Sequence, residues 1–305
     1  MRIVSLLASA TEIVTELGLA DQLVGISHEC DFPAAVLDRP RVSRPRFDPT
    51  GLDSGQIDRA VRATMAEFGA VYELDAERLA GLDPDVILSQ AVCEVCAVPT
   101  PGVLELVSES GLGADVLSLD AHKLAEILDT VVAVGEATGT EDRARALRAG
   151  LQGRVDAVAT AVSGRPRPRL LGIEWLDPPF VPGHWVPEVI AAAGARSLAG
   201  EAGARSVDVT WDSLRGLDPD ALLIMPCGYD LAASRADADR HAEELLSVAP
   251  RAIAERRAWV VDASSYFNRS GPRVVRGIEI LAALLHPGLF PPPALDEAAV
   301  WTPPS

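Results

Sequence analysis

Short apolar runs alternate with stretches of helical period along most of the 305-residue chain. Runs of strand length fall at Arg2–Leu7, Leu23–Ile26, Asp85–Ser89 and Asp115–Leu119, and again at Arg169–Ile173, Ala221–Met225 and Trp259–Asp262. They are rich in Val, Ile and Leu with little polar alternation, as strands covered on both faces are. Between them, apolar residues recur at three- and four-residue steps. Ser9 and Glu12 have the S-x-x-E spacing of a capping box, and Gly18 is placed to end that helix. Alternating strands and helices predict an α/β fold with parallel sheets.

One unit occurs twice. Leu79-Ala-Gly-Leu-Asp-Pro-Asp-Val-Ile-Leu88 returns as Leu214-Arg-Gly-Leu-Asp-Pro-Asp-Ala-Leu-Leu223. Each copy reads as a helix end, an Asp-Pro stop and a strand. Two copies far apart predict two similar lobes, residues 1–120 and 165–287. Leu124, Ile127, Leu128, Val131 and Val134, then Leu147, Leu151, Val155 and Val158, predict a helical connector over 121–164. It is either one long helix or a pair broken near Gly135–Gly139. The Pro-rich stretch 288–305 reads as a loose surface tail.

Composition narrows the partners. A net charge of −17 repels nucleic acid and anionic membrane surfaces, so neither is expected. No run approaches the apolar length that spans a bilayer. Met1 and Arg2 lead straight into Ile3-Val4 with no leader pattern, which predicts a cytoplasmic protein, or an extracytoplasmic one if translation starts upstream. Four cysteines are too few for a disulfide scaffold.

In open parallel sheets, ligands sit beyond the carboxyl ends of the strands. The segments there hold His28-Glu29-Cys30-Asp31-Phe32, Cys93-Glu94-Val95-Cys96, Glu174-Trp175, Phe180, His184-Trp185, Cys227 and Tyr266-Phe267-Asn268-Arg269. Aromatic groups with a few polar ones suit a flat, partly apolar ligand. The alternatives at each position are plain. Cys30, Cys93, Cys96 and Cys227 are candidate ligands for zinc or an iron–sulfur cluster, or reactive thiols, or packing residues. His28 and His184 are candidate metal ligands or hydrogen-bonded loop residues. Trp175 and Trp185 are ligand platforms or lobe packing, and Glu29, Glu94 and Glu174 are cleft carboxylates or solvated charges. No G-x-S-x-G, Walker or H-E-x-x-H motif is present, and no G-x-G-x-x-G follows the first strand. Cys227 as nucleophile with His184 as base is the one catalytic arrangement left to consider, and no enzyme is expected.

Arg2-Ile-Val-Ser-Leu-Leu-Ala-Ser-Ala-Thr-Glu-Ile13, Leu23-Val-Gly-Ile-Ser27, Cys30-Asp-Phe-Pro33, Asp177-Pro-Pro-Phe180 and Tyr266-Phe-Asn-Arg-Ser-Gly-Pro-Arg273 resemble, in order, segments of the cobalamin and iron-complex solute-binding proteins of ABC importers. The resemblance runs from residue 2 to about 286 and points to a signal-less branch. It implies two Rossmann-like lobes joined by a long helix, as in class III solute-binding proteins, with a corrinoid such as cobalamin, or a related metal chelate, lying flat in the cleft. It implies ligand contacts from Tyr266, Phe267 and Phe180 and from the loop of Cys30, Asp31 and Phe32. It also implies an ABC importer as partner if the protein is exported; a monomer is expected. Asp53–Leu74 is an insert relative to the family's shorter connection. The rival reading is a cytoplasmic enzyme or metal-handling protein that reuses the fold through its four cysteines.

Overall fold

The computed structural model describes residues 1–92 and 99–304. The N-terminal lobe holds β1 (Ile3–Ser5), β2 (Leu23–Ile26), β3 (Ser43–Pro45), β4 (Tyr72–Leu74), β5 (Val86–Ser89) and β6 (Asp115–Ser118). Its helices are α1 (Ala8–Glu16), α2 (Ser54–Phe68), α3 (Ala76–Gly81) and α4 (Thr100–Ser110). The connector is α5 (Leu124–Thr138) and α6 (Glu141–Val162). The C-terminal lobe holds β7 (Arg169–Ile173), β8 (Trp175–Leu176), β9 (Pro179–Val181), β10 (Arg196–Ser197), β11 (Val207–Asp208), β12 (Ala221–Ile224), β13 (Ala258–Val261) and β14 (Ala298–Val300). Its helices are α7 (Val186–Ala192), α8 (Trp211–Leu214), α9 (Leu231–Arg240), α10 (Ala242–Val248), α11 (Pro250–Ala254), α12 (Ala263–Tyr266) and α13 (Val274–Leu285).

The main sheets run β2-β1-β5-β6 and β10-β7-β12-β13-β14, and every pairing is parallel except the antiparallel β14 edge. The first four strands of each sheet therefore share one order. The repeated sequence sits at the same place in both: it leads into β5 and into β12. Asp83 and Asp218 adopt φ of +43° and +45°, a left-handed turn that Asp tolerates. Two residues on, Asp85 accepts the Arg2 N–H at 2.6 Å and Asp220 accepts the Arg169 N–H at 2.8 Å. Each aspartate thus staples the strand that follows it to the one beside it, β5 to β1 and β12 to β7, and the duplication extends to Arg2 and Arg169.

Each main sheet is covered on both faces, which is why its strands read as continuous apolar runs. Val4, Leu6 and Ile87 pack on the outer side of the N-terminal sheet, and Leu171, Ile173, Leu222 and Ile224 on that of the C-terminal sheet. The inner sides meet in one core. Ile3 and Ile13 of the first lobe, Val131 and Leu151 of the connector, and Leu170, Val189, Phe267 and Ile278 of the second all belong to it.

One open alternative is decided and two expectations change. Of the two connectors considered, the helix pair is the one formed: Gly139 at φ +68° ends α5 in a left-handed cap. The capping box at Ser9 is not made, because Leu7 is the N-cap of α1 and Glu12 reaches across to Arg273 at 2.7 Å. The tail is not loose. β14 pairs with β13, Trp301 is fully buried, and Glu297 takes two hydrogen bonds from Arg276.

Candidate functional site

A pocket of about 410 Å³ lies beyond the carboxyl ends of the strands, between the lobes. Tyr229 and Asp230 follow β12, and Asp262, Ser264 and Ser265 follow β13; Asp31 of the β2 loop faces them from the other lobe. Asp230 and Asp262 are N-caps, accepting the N–H groups of Ala233 and Ser265 at 2.8 and 2.9 Å. Capping fixes these carboxylates at the wall. Burial, with the nearby Asp237, pushes the Tyr229 phenol up to about 12, so it stays protonated and can donate a hydrogen bond. The pocket is acidic and hydroxyl-rich.

Beside it, the lobes are joined by an ion-pair network. Arg269 is largely buried and donates to both oxygens of Asp31, at 2.5 and 2.8 Å, and lies 3.9 Å from Glu12. Arg273 bonds Glu12 and covers the Phe32 ring at 4.4 Å. Burial works against the charged form of Asp31, but the Arg269 hydrogen bonds and charge, with Arg273, outweigh it and hold its pKa below the ordinary 3.8. Its folded pKa is depressed, so the stability it contributes is present above 3.8 and lost as pH falls through the folded value. An Asp31→Asn variant is therefore expected to show a shallower loss of urea midpoint below that pH than the natural protein; parallel acid limbs would refute the role.

Other predicted site residues are spread more widely. His28 shares a hydrogen bond with Ser43 through Nδ1, at 2.8 Å, and its Nε2 lies 3.2 Å from Glu29, whose pKa that contact lowers. Its ring packs on Tyr72 with centroids 4.5 Å apart. Glu174 accepts from Ser206 at 2.5 Å, and its carbonyl takes the Cys227 N–H. Trp175 donates to the Ser54 carbonyl at 3.2 Å and meets the Tyr229 ring edge-on at 5.2 Å. Phe180 lies in β9, paired with Trp175 and with Asp208. Tyr266 is half-buried near Arg273. His184 sits at φ +48° beside His122, with ring centroids 5.8 Å apart, and burial lowers its pKa.

Three assignments need correction. Phe267 is fully buried in the shared core, and Trp185, 8% exposed, donates its indole N–H to the Phe267 carbonyl. Both pack the lobes together and neither faces the pocket. Cys30 is walled in, its thiol 3.0 Å from the Thr11 hydroxyl and 3.3 Å from that of Ser27, and burial raises its pKa. A neutral buried thiol is a poor metal ligand. Cys227 is exposed on its loop, and Cys93 and Cys96, with Glu94, lie outside the described residues. Among the described residues, no three His, Cys, Asp or Glu side chains converge as a metal site would require.

The pocket residues Tyr229, Asp230, Asp262, Ser264 and Ser265 were in the right loops but carry no motif. Their signal was an Asp in a post-strand segment with a small-residue helix start behind it, Asp230-Leu-Ala-Ala at the end of the loop after β12 and Asp262-Ala-Ser-Ser directly after β13.

Two like lobes on parallel sheets, a connector of two helices and a polar pocket at the facing strand ends define a solute-binding protein. Residues 3–259 match the family model for periplasmic binding proteins, and the chain belongs to that family. It is 22% identical over 95% of its length to an ABC transporter substrate-binding lipoprotein, YvrC of Bacillus subtilis, covering 81% of that protein. It is 24% identical over 93% of its length to the cobalamin-binding protein of Halobacterium salinarum, covering 69% of it. Among solved structures, it resembles a periplasmic heme-binding protein of Pseudomonas aeruginosa with a TM-score of 0.71, 24% identity and coverage of 100% and 99% of the two chains. The vitamin B12-binding protein BtuF of Vibrio cholerae gives 0.69 and 19%, covering 93% and 96%.

The chain is thus a binding protein of ABC-importer type and not an enzyme. The cytoplasmic expectation is overturned, because the family is periplasmic and the Bacillus relative is a lipoprotein. The residues behind that expectation form β1, so they inform on the fold and not on the compartment. Nothing in these relatives supports a zinc or iron–sulfur site. Among the described residues no helix is long and apolar enough to cross a membrane.

Proposed function

We propose that the chain binds a corrinoid of the cobalamin type in the inter-lobe pocket, as the solute-binding component of an ABC importer. The chemistry of the pocket wall carries the choice. A corrinoid presents neutral amide side chains around its ring, and these donate to carboxylates and pair with hydroxyls. Asp31, Asp230, Asp262, Ser264 and Ser265 offer that set. Heme presents two anionic propionates, which the same carboxylates repel. The cations beside the pocket on the Asp31 side, Arg269 and Arg273, are already paired, Arg269 with Asp31 and Arg273 with Glu12. The name of the Halobacterium relative and the likeness to the Vibrio protein agree with this reading.

Titration of the purified protein with cyanocobalamin and with hemin, followed by calorimetry, tests it. Cyanocobalamin should bind at about 1 μM or tighter and hemin more weakly. Tyr229→Ala should weaken cyanocobalamin by about tenfold or more, as loss of a central aromatic anchor does. Tighter binding of hemin than of cyanocobalamin, or no binding of either, would sink the proposal.

A further inference from the structure

The segment Asp53–Leu74 belongs by connection to the N-terminal lobe, yet the first turn of α2 is docked on the other one. Ser54 donates to Asp237 of α9 at 3.0 Å and lies 3.4 Å from His241 Nε2. Its carbonyl takes the Trp175 indole N–H at 3.2 Å. Gly55 is pressed so closely on the turn between β8 and β9 that a Cβ there would lie 2.1 Å from Asp177 Oδ2. Arg62 reaches Asp208 of β11 at 3.4 Å. The far end stays with the N-terminal lobe: Arg46 donates to the Val71 carbonyl at 2.9 Å, and β3 pairs with β4. So α2 runs from one lobe to the other on the side where the strand ends face.

This docking is polar and thin. Only Ser54, Gly55 and Thr64 of α2 are buried. The helix is closed by its own caps, the Asp53–Gln56 box and Gly69, and needs no partner to end it. Asp237, fully buried, leaves Oδ2 without a hydrogen-bond partner among the described residues. An element with few buried apolar contacts and exposed backbone bonds opens at a fraction of the global stability. The docking points also touch the pocket. Trp175 packs on Tyr229, and Asp237 lies one helical turn beyond Ala233, both Tyr229 and Ala233 being in the pocket wall. The pocket volume is at the small end for ligand sites, and a corrinoid is larger than the ligands such sites usually enclose.

We propose that α2 is a clasp across the cleft, which must lift from Ser54–Asp237 and Trp175 to admit the solute and closes again behind it. The pocket arm of this statement rests on the function proposed above; the opening of the clasp does not. A Gly55→Cys, Asp177→Cys pair tests both. The Cβ position on Gly55 is 2.9 Å from Asp177 Cγ, the atom whose place a cysteine sulfur takes, which is within disulfide reach.

In the ligand-free natural protein, amides of α2 should exchange at least about tenfold faster than those of α13, and oxidation of the pair should remove that difference. Exchange of α2 at the rate of α13 in the natural protein would mean that it opens only on global unfolding, and would overturn the clasp. The oxidised pair should then take up cyanocobalamin at least about tenfold more slowly than the reduced pair, with Asp177→Cys alone insensitive to oxidation. Equal rates would overturn the gating role. Failure of cyanocobalamin to bind even the natural protein would count against the function, while the exchange result would still decide the clasp.

Discussion

Arg273→Met should destabilise the protein by about 3 kcal/mol, the low end of the loss when one member of a buried ion pair is removed. Glu12 is 2% exposed, and its charge is met by Arg273 at 2.7 Å, with Arg269 further off at 3.9 Å. Burial already holds the Glu12 pKa above the ordinary 4.5 despite the two arginines. Without Arg273 the folded carboxyl rises further. A carboxyl with a raised folded pKa favours folding when protonated, so the loss should be full at neutral pH. It should shrink as pH falls through the folded value toward 4.5. Glu12→Gln in the same chain removes the stranded charge and should restore most of the stability. Urea unfolding at two pH values reads all of this. A loss under about 1 kcal/mol that ignores pH would show the pair to be no more than a surface contact.

The second large effect is at the end of the chain. Trp301 is fully buried in the outer core of the C-terminal lobe. Its indole N–H donates to Asp239 at 2.8 Å and its backbone N–H to the Ala258 carbonyl at 2.8 Å. Trp301→Ala should cost about 3–5 kcal/mol, the range for truncating a large buried aromatic. Trp301→Phe keeps most of the volume and loses the indole bond, and should cost clearly less. Denaturation midpoints compare the three proteins; equal midpoints for Trp301→Ala and the natural chain would mean that the tail contributes nothing.

These two sites show where the sequence was legible. Seven of the nine strands of the main sheets were readable because a doubly covered strand is largely apolar along its length. The paired lobes were readable because the Asp-Pro-Asp turn recurs with its strand. What escaped depends on partners far along the chain. Glu12 looked like the far half of a capping box, and its partner lies 261 residues away. The tail looked loose because Pro291, Pro292 and Pro293 mask a three-residue edge strand, too short to carry a period. Phe267 looked like a ligand contact beside Tyr266, but one step of backbone turns it into the core. The docking of α2 is made by Ser54, Gly55 and Arg62, residues that have no pattern. Of the ligand-binding residues expected from the sequence only Asp31 lines the pocket, and the rest of its wall was missed because capping aspartates look the same whether or not they face a ligand.

The core that runs through both lobes and the helix pair has a consequence for how the protein responds to its solute. Neither half has an inner face that is complete alone, so cutting the chain near Gly164 would expose Leu170, Val189 and Ile278 on one piece and Ile3 and Ile13 on the other. The two halves should therefore melt together as one cooperative unit, and a solute held mainly by the loops after β12 and β13 should protect the other half equally. A receptor that docks on the outside of such a molecule meets the same rigid body whether it is empty or full. The message that cargo is aboard is then left to the few elements that hang outside the common core.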